Sequence, residues 1–187
     1  DQLGMGKALR MRPHVRFVQS VYEEAASFVS RVYGSAHFVA LHWRRTDFLR
    51  VRQSQPGVLQ SADALVSHAR ALMARHDSRH VYLATDSDDD GELARVAQSL
   101  GFAPVRYDGA LAVAAAEQDD PLARAIAANV EITICATAAG FLGTRTSTFS
   151  LSIAEERQGV FGRPAASAGV MGDMRAPQRN NHVHEDL

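Results

Sequence analysis

Three short stretches concentrate the residues that could do chemistry. HWRRTD, residues 42–47, packs an imidazole, an indole, two guanidinium groups and a carboxylate together. Guanidinium forks match phosphate oxygens two at a time and stay charged at any working pH, so Arg44 and Arg45 could clamp a diphosphate. The alternative is a surface arginine pair balanced by Asp47. His42 beside them could donate to a phosphate or a sugar hydroxyl, or serve as an acid or base. In TRTSTFS, residues 144–150, hydroxyls and backbone N–H groups gather where a helix begins. The helix dipole and its free donors favour an anion there, although Ser147 or Thr148 could equally be a plain N-cap with nothing bound.

The third stretch, TDSDDDGE at residues 85–92, is acidic. An EF-hand loop starting at Asp86 would need a glutamate at position 97, which is Ala97, so that reading fails. Asp86-Ser87-Asp88 fits a metal-binding DxD pair in form, but Asp88 to Asp90 equally load the first turn of a following helix with the charge its dipole prefers. His182 and His184, with Glu185 and Asp186, lack a third ligand at a metal-binding spacing. No metal site is expected. Neither GxGxxG nor a P-loop occurs, and no Ser/His/Asp triad or nucleophile elbow can be assembled.

The elements that must position these residues alternate in type. Apolar residues from Val18 to Val32 recur at helical steps within residues 14–33, and Gly34 can end that helix. FVAL, residues 38–41, reads as a strand buried on both faces. A long polar loop punctuated by Pro56-Gly57 follows, then a helix over 61–76 with Ser61 as its N-cap. HVYLATD, 80–86, is a second strand. A helix over 90–100 stops at Gly101, FAPVRYD is a weaker strand, and Pro121 suits the first turn of a helix over 121–138. GFLGT, 140–144, is a short strand, and a last helix opens at TSTF. This order predicts an α/β domain with a mainly parallel, Rossmann-like sheet and flanking helices. In such sheets ligands bind beyond the carboxyl ends of the strands, where all three stretches fall. Residues 1–162 form the expected domain. Residues 163–187, rich in Gly, Ala, Pro and Asn, are expected to be a flexible tail.

Of the 187 residues, 46% are hydrophobic and 22% charged, and the net charge is −1, so no basic field argues for nucleic acid or an anionic membrane. No apolar run approaches the roughly 18 residues of a membrane span. The single cysteine, Cys135, sits in apolar sequence and reads as a small buried residue rather than a reactive thiol.

Taken in order, HWRRTDF, VYLATD and ICATAAGFLGTRTSTFSLSIAEER resemble the GDP-fucose protein O-fucosyltransferases, most closely the type that acts on thrombospondin repeats. The related α1,6-fucosyltransferases share looser versions. The resemblance implies the C-terminal, donor-binding half of a two-domain GT-B glycosyltransferase that is inverting and metal-independent, moving fucose from GDP-fucose to Ser or Thr hydroxyls of a folded acceptor protein. It implies that His42, Trp43, Arg44 and Arg45 meet the donor, with Arg44 on the β-phosphate stabilising the leaving group, and that Asp47 braces their loop. Ser147, Thr148 and Phe149 would hold the nucleotide, Asp86 would lie near base or ribose, and Glu131 would stand where relatives carry a nucleotide-contacting Asp. The catalytic base is expected in an N-terminal half outside these residues, no cofactor is needed beyond the donor substrate, and the setting is the endoplasmic reticulum. An α1,6-fucosyltransferase acting on a glycan, and a non-catalytic nucleotide-sugar or glycan-binding module, are the alternatives.

Overall fold

Strand β1, Phe38–Trp43, is buried along its whole length, and the rest of the molecule is arranged around it. In this computed structural model residues 15–55, 57–109 and 120–171 are described. Helix α1, Gln19–Tyr33, precedes β1 and ends at Gly34, whose φ of 58° lets its N–H turn back to Ser30. After β1 come a short helix α2, Phe48–Val51, then α3, Ala62–Arg75, and β2, His80–Thr85. Next are α4, Asp90–Leu100, α5, Pro121–Thr137, β3, Gly140–Gly143, and α6, Thr148–Gly159. A 3-10 turn at Ala165–Ser167 leads into β4, Ala168–Val170.

The four strands are all parallel, in the order β2-β1-β3-β4. From β1 the chain moves outward to β2, then returns to pair β3 on the other side of β1. The crevice between the carboxyl ends of β1 and β3 is therefore the point where the winding reverses, the ligand position in open α/β sheets.

Alternation along β1 builds a separate core on each face of the sheet. Phe38 and Ala40 pack with Tyr82 and Phe141 beneath α1 and α5, joined by Phe28, Val130 and Ile134. Val39, Leu41 and Trp43 pack with Val81, Leu83 and Leu142 beneath α3 and α4, joined by Leu65, Leu72 and Val96. Capping follows the sequence. Ser61, Asp89, Asp120 and Ser147 each accept a backbone N–H of the helix they open, and Gly101 closes α4 with φ 88°.

Three expectations need correction. The polar loop after β1 contains α2, because Phe48 has a core to enter and is buried. FAPVRYD contributes only a bridge, Val105 beside Tyr82, with Leu83 N donating to Val105 O at 2.8 Å. The domain continues past residue 162. β4 pairs Phe141, Leu142 and Gly143 with Ala168, Gly169 and Val170, and Met171 is fully buried, so 163–171 complete the sheet rather than hang from it; residues 172–187 lie outside the described ones. Arg157 secures this edge. It is fully buried, and its guanidinium donates to the carbonyls of Cys135, Ala136 and Ala138 at the end of α5 and to Ser167. A cation there suits the negative end of the helix dipole.

Candidate functional site at the β1–β3 switch point

The end of β1 delivers its residues alternately to the two faces. His42 and Arg44 go to the α6 side; Trp43 and Arg45 go to the α3–α4 side. That alternation separates the candidates.

On the α6 side, His42 is 3% exposed, its Nδ1 lies 2.7 Å from Ser150 Oγ, and its ring packs on Phe149 at 4.7 Å between centroids. Burial pushes its pKa down to about 4, with Arg44 adding to the depression and Asp86 opposing it, so the ring is neutral at physiological pH. Thr144, one residue past β3, ties the strand ends together: its hydroxyl donates to His42 O at 2.8 Å and accepts Arg44 N–H at 2.9 Å.

Arg44 is braced on two edges. Nε donates to Asp47 Oδ1 at 2.9 Å, and Nη1 meets Asp86 Oδ2 at 3.2 Å. The Arg44 partnership holds the Asp47 carboxyl below its usual range. Asp86 also accepts Arg45 N–H at 2.7 Å and the Thr46 hydroxyl. A third of the Arg44 side chain remains exposed, and Nη2 makes no hydrogen bond to the described residues, so its two donors are left open.

Beyond β3, Thr146 takes a left-handed φ of 62° and turns the chain into α6. Ser147 caps the helix, its Oγ accepting from Ser150 N, while Thr148 is exposed at the first turn. α6 approaches β3 so closely that a Cβ on Gly143 would stand 2.6 Å from Ser150 Cβ and Oγ. Glycine is what lets the helix N-terminus reach His42. Beside it lies an open, mostly apolar cavity of about 470 Å³, floored by Phe141 and bordered by Thr144, Ser147, Ser150 and Leu151, within the size range of small-molecule pockets.

The other face removes two candidates. Trp43 is fully buried, its indole N–H donating to Gln60 O at 2.9 Å. Arg45 stacks over that indole at 4.7 Å, is bidentate to Glu92, and donates to Gln60 O. Its side chain is 13% exposed. The two arginines are therefore not one clamp: Arg44 is held between Asp47 and Asp86, and Arg45 locks β1 to α4. Glu131 also stands apart. It accepts from Tyr82 OH at 2.9 Å, and Tyr82 pairs with Ala40 in the register, two residues deeper in the sheet than His42. Burial raises its pKa to about 7, with Tyr82 and Arg106 opposing. Burial likewise drives the Cys135 thiol well up. Of the acidic run, Asp89 caps α4 and Asp90 and Glu92 occupy its first turn. Among the described residues no three His, Cys, Asp or Glu side chains converge on one point, and no helix is long and apolar enough to cross a membrane.

Sequence reasoning missed Thr144, Ser150, Gly143, Thr46 and Glu92. All of them lie within or beside the three stretches, and strand alternation was the signal that could have sorted them.

Comparison with known proteins identifies the family and the fold. A family model described as GDP-fucose protein O-fucosyltransferase matches residues 5–159. GDP-fucose protein O-fucosyltransferase 2 of Caenorhabditis elegans is 30% identical over 131 residues, covering 70% of this chain and 28% of that protein. The crystal structure of POFUT1 in complex with GDP matches with a TM-score of 0.67 at 19% identity, over 89% of this chain and 52% of that one. POFUT1 in complex with GDP-fucose gives 0.68 at 19% identity, over 89% and 50%. The chain thus spans about a quarter of the curated relative's length and about half of these solved structures. The solved structures share the α/β, Rossmann-like fold expected from the sequence. With the family model matching most of its length, the chain belongs to the GDP-fucose protein O-fucosyltransferase family.

Proposed function

We propose that this chain is the donor-binding, C-terminal half of a GT-B enzyme that transfers fucose from GDP-fucose to a Ser or Thr hydroxyl of a folded protein domain. The observation that carries the reading is Arg44. Its guanidinium is fixed by Asp47 and Asp86, a third of its side chain stays exposed, and its backbone N–H is tied to Thr144, just ahead of α6. When the bond from the sugar to the diphosphate breaks, negative charge grows on the departing β-phosphate. A preorganised guanidinium and a helix N-terminus stabilise that charge without reorganising. Thr148 and Phe149, at the same helix end, would hold the nucleotide.

His42 is a poor proton acceptor on this reading, being buried, neutral and bonded to Ser150. Its part is to hold the end of β1 against α6. The base that takes the acceptor's proton belongs to the other half of the enzyme, and the attack inverts the sugar centre. No divalent cation is required. The positive potential comes from Arg44 and α6, and Asp86, the nearest DxD carboxylate, already accepts from Arg44, Arg45 N–H and Thr46. The enzyme would work in the endoplasmic reticulum, a reading that the family resemblance supports.

Calorimetric titration of the chain with GDP in EDTA tests this. One binding site per chain, undiminished by the chelator, is expected. Absence of heat over the whole titration with a folded protein would overturn the donor-site reading, and binding only on addition of a divalent cation would return Asp86 and Asp88 to a metal role.

A further inference from the structure

The crevice, as built so far, is short of positive charge. Arg44 and Arg45 meet three carboxylates, Asp47, Asp86 and Glu92, so these pairs leave a negative charge over before any anion arrives. Arg45 is spent on Glu92 and Gln60 on the far face. A diphosphate would enter an unfavourable local field unless another cation were close.

One is. Arg52 is the residue that closes α2. Its guanidinium stands over the ring of Phe48, 5.8 Å from the centroid, and the Arg44 guanidinium stands over the same ring at 5.9 Å. Two guanidinium groups that share one aromatic platform can be no more than about 12 Å apart. Phe48 is 8% exposed and fixes both stems. Among the described residues Arg52 has no carboxylate partner; its Nε is buried without an acceptor, out of a ligand's reach. Its Nη groups make no hydrogen bond to the described residues, and they are the donors that an arriving oxyanion would meet. Arg50, two residues earlier on the same helix, is exposed and lacks the platform.

We propose that Arg52, rather than Arg45, is the second guanidinium of the diphosphate site, held beside Arg44 by Phe48. The inference deepens the GDP-site reading and rests on it. Arg44 is braced by two carboxylates and sets direction. Arg52 is unneutralised and supplies the net charge.

The test titrates the wild-type chain, Arg52→Ala, Arg52→Gln, Arg52→Lys and Arg50→Ala with GDP and with guanosine. Loss of a charge-assisted contact predicts that Arg52→Ala and Arg52→Gln weaken GDP about tenfold or more, and guanosine by less than about threefold. Arg52→Lys should recover part of the GDP affinity, and Arg50→Ala should stay within about twofold of wild type. Arg52→Gln keeps most of the stem over Phe48, so it decides the matter should the alanine variant fail to fold. GDP binding unchanged in Arg52→Gln would overturn the proposal while leaving the donor site intact. Equal losses for GDP and guanosine would also overturn it, by showing that Arg52 acts only through the packing of Phe48. A wild-type chain that binds no GDP would remove the donor-site reading and this inference together.

Discussion

His42 and Glu131 lie on the same face of the sheet and titrate in opposite senses. Burial lowers His42 to about 4 from an ordinary value of 6.5. Between those values the unfolded chain takes up a proton that the folded one refuses. The stability His42 contributes is therefore full above pH 6.5 and is lost as pH falls toward 4. Burial raises Glu131 to about 7 from 4.5. The folded chain binds that proton first, so its contribution is full below pH 4.5 and is lost as pH rises through 7. From about pH 4.5 to 6.5 the two oppose each other. Replacing Glu131 with Gln leaves the His42 slope unopposed. The stability of Glu131→Gln relative to wild type should rise by on the order of 1–2 kcal/mol between pH 4.5 and 7.5, read from urea unfolding at each pH. A difference that does not change with pH would show that Glu131 is not held protonated by its surroundings.

At the scale of elements, the site depends on how closely α6 comes to β3. Gly143 is the spacer. A methyl group there would meet Ser150 at 2.6 Å, and the contacts are with Cβ and Oγ of a buried residue rather than with a flexible tip. Gly143→Ala should destabilise the domain by about 1–3 kcal/mol, and by lifting α6 away it should let water reach His42, whose depression comes chiefly from burial, moving its NMR titration up toward its ordinary range. A variant as stable as wild type with an unchanged titration would mean that α6 does not depend on this contact. The scaffold itself was largely legible: helices over 90–100 and 121–138, the buried strand at Phe38 and the caps at Ser61 and Ser147 follow from local periodicity and capping chemistry. What was not legible depends on what lies across the fold. Two adjacent arginines read as a pair in one dimension, but a strand sends them to opposite faces. The segment after Gly162 looked like a tail because its small residues carry no apolar pattern; a backbone partner in β3 and the buried Arg157 give it a place in the sheet. Arg52 gave no signal, because its significance lies in sharing Phe48 with Arg44.

Over the whole molecule, charge is nearly balanced, at −1, so nothing global draws an anion to the surface. Attraction must be local, and it falls at the carboxyl edge of the sheet, where the winding reverses and where Arg44 and the start of α6 both follow strand ends. The chain covers about half of the solved relatives. The division of labour proposed above follows from that edge: this half grips the leaving diphosphate, and the other half of the enzyme takes the acceptor's proton. The central claim is that Arg44 binds phosphate, and the direct measurement is calorimetry of Arg44→Ala with GDP and with guanosine. The account predicts that the variant loses GDP affinity by about tenfold to a hundredfold, while guanosine changes by less than about threefold. Equal losses for both ligands, or no loss for either, would contradict it.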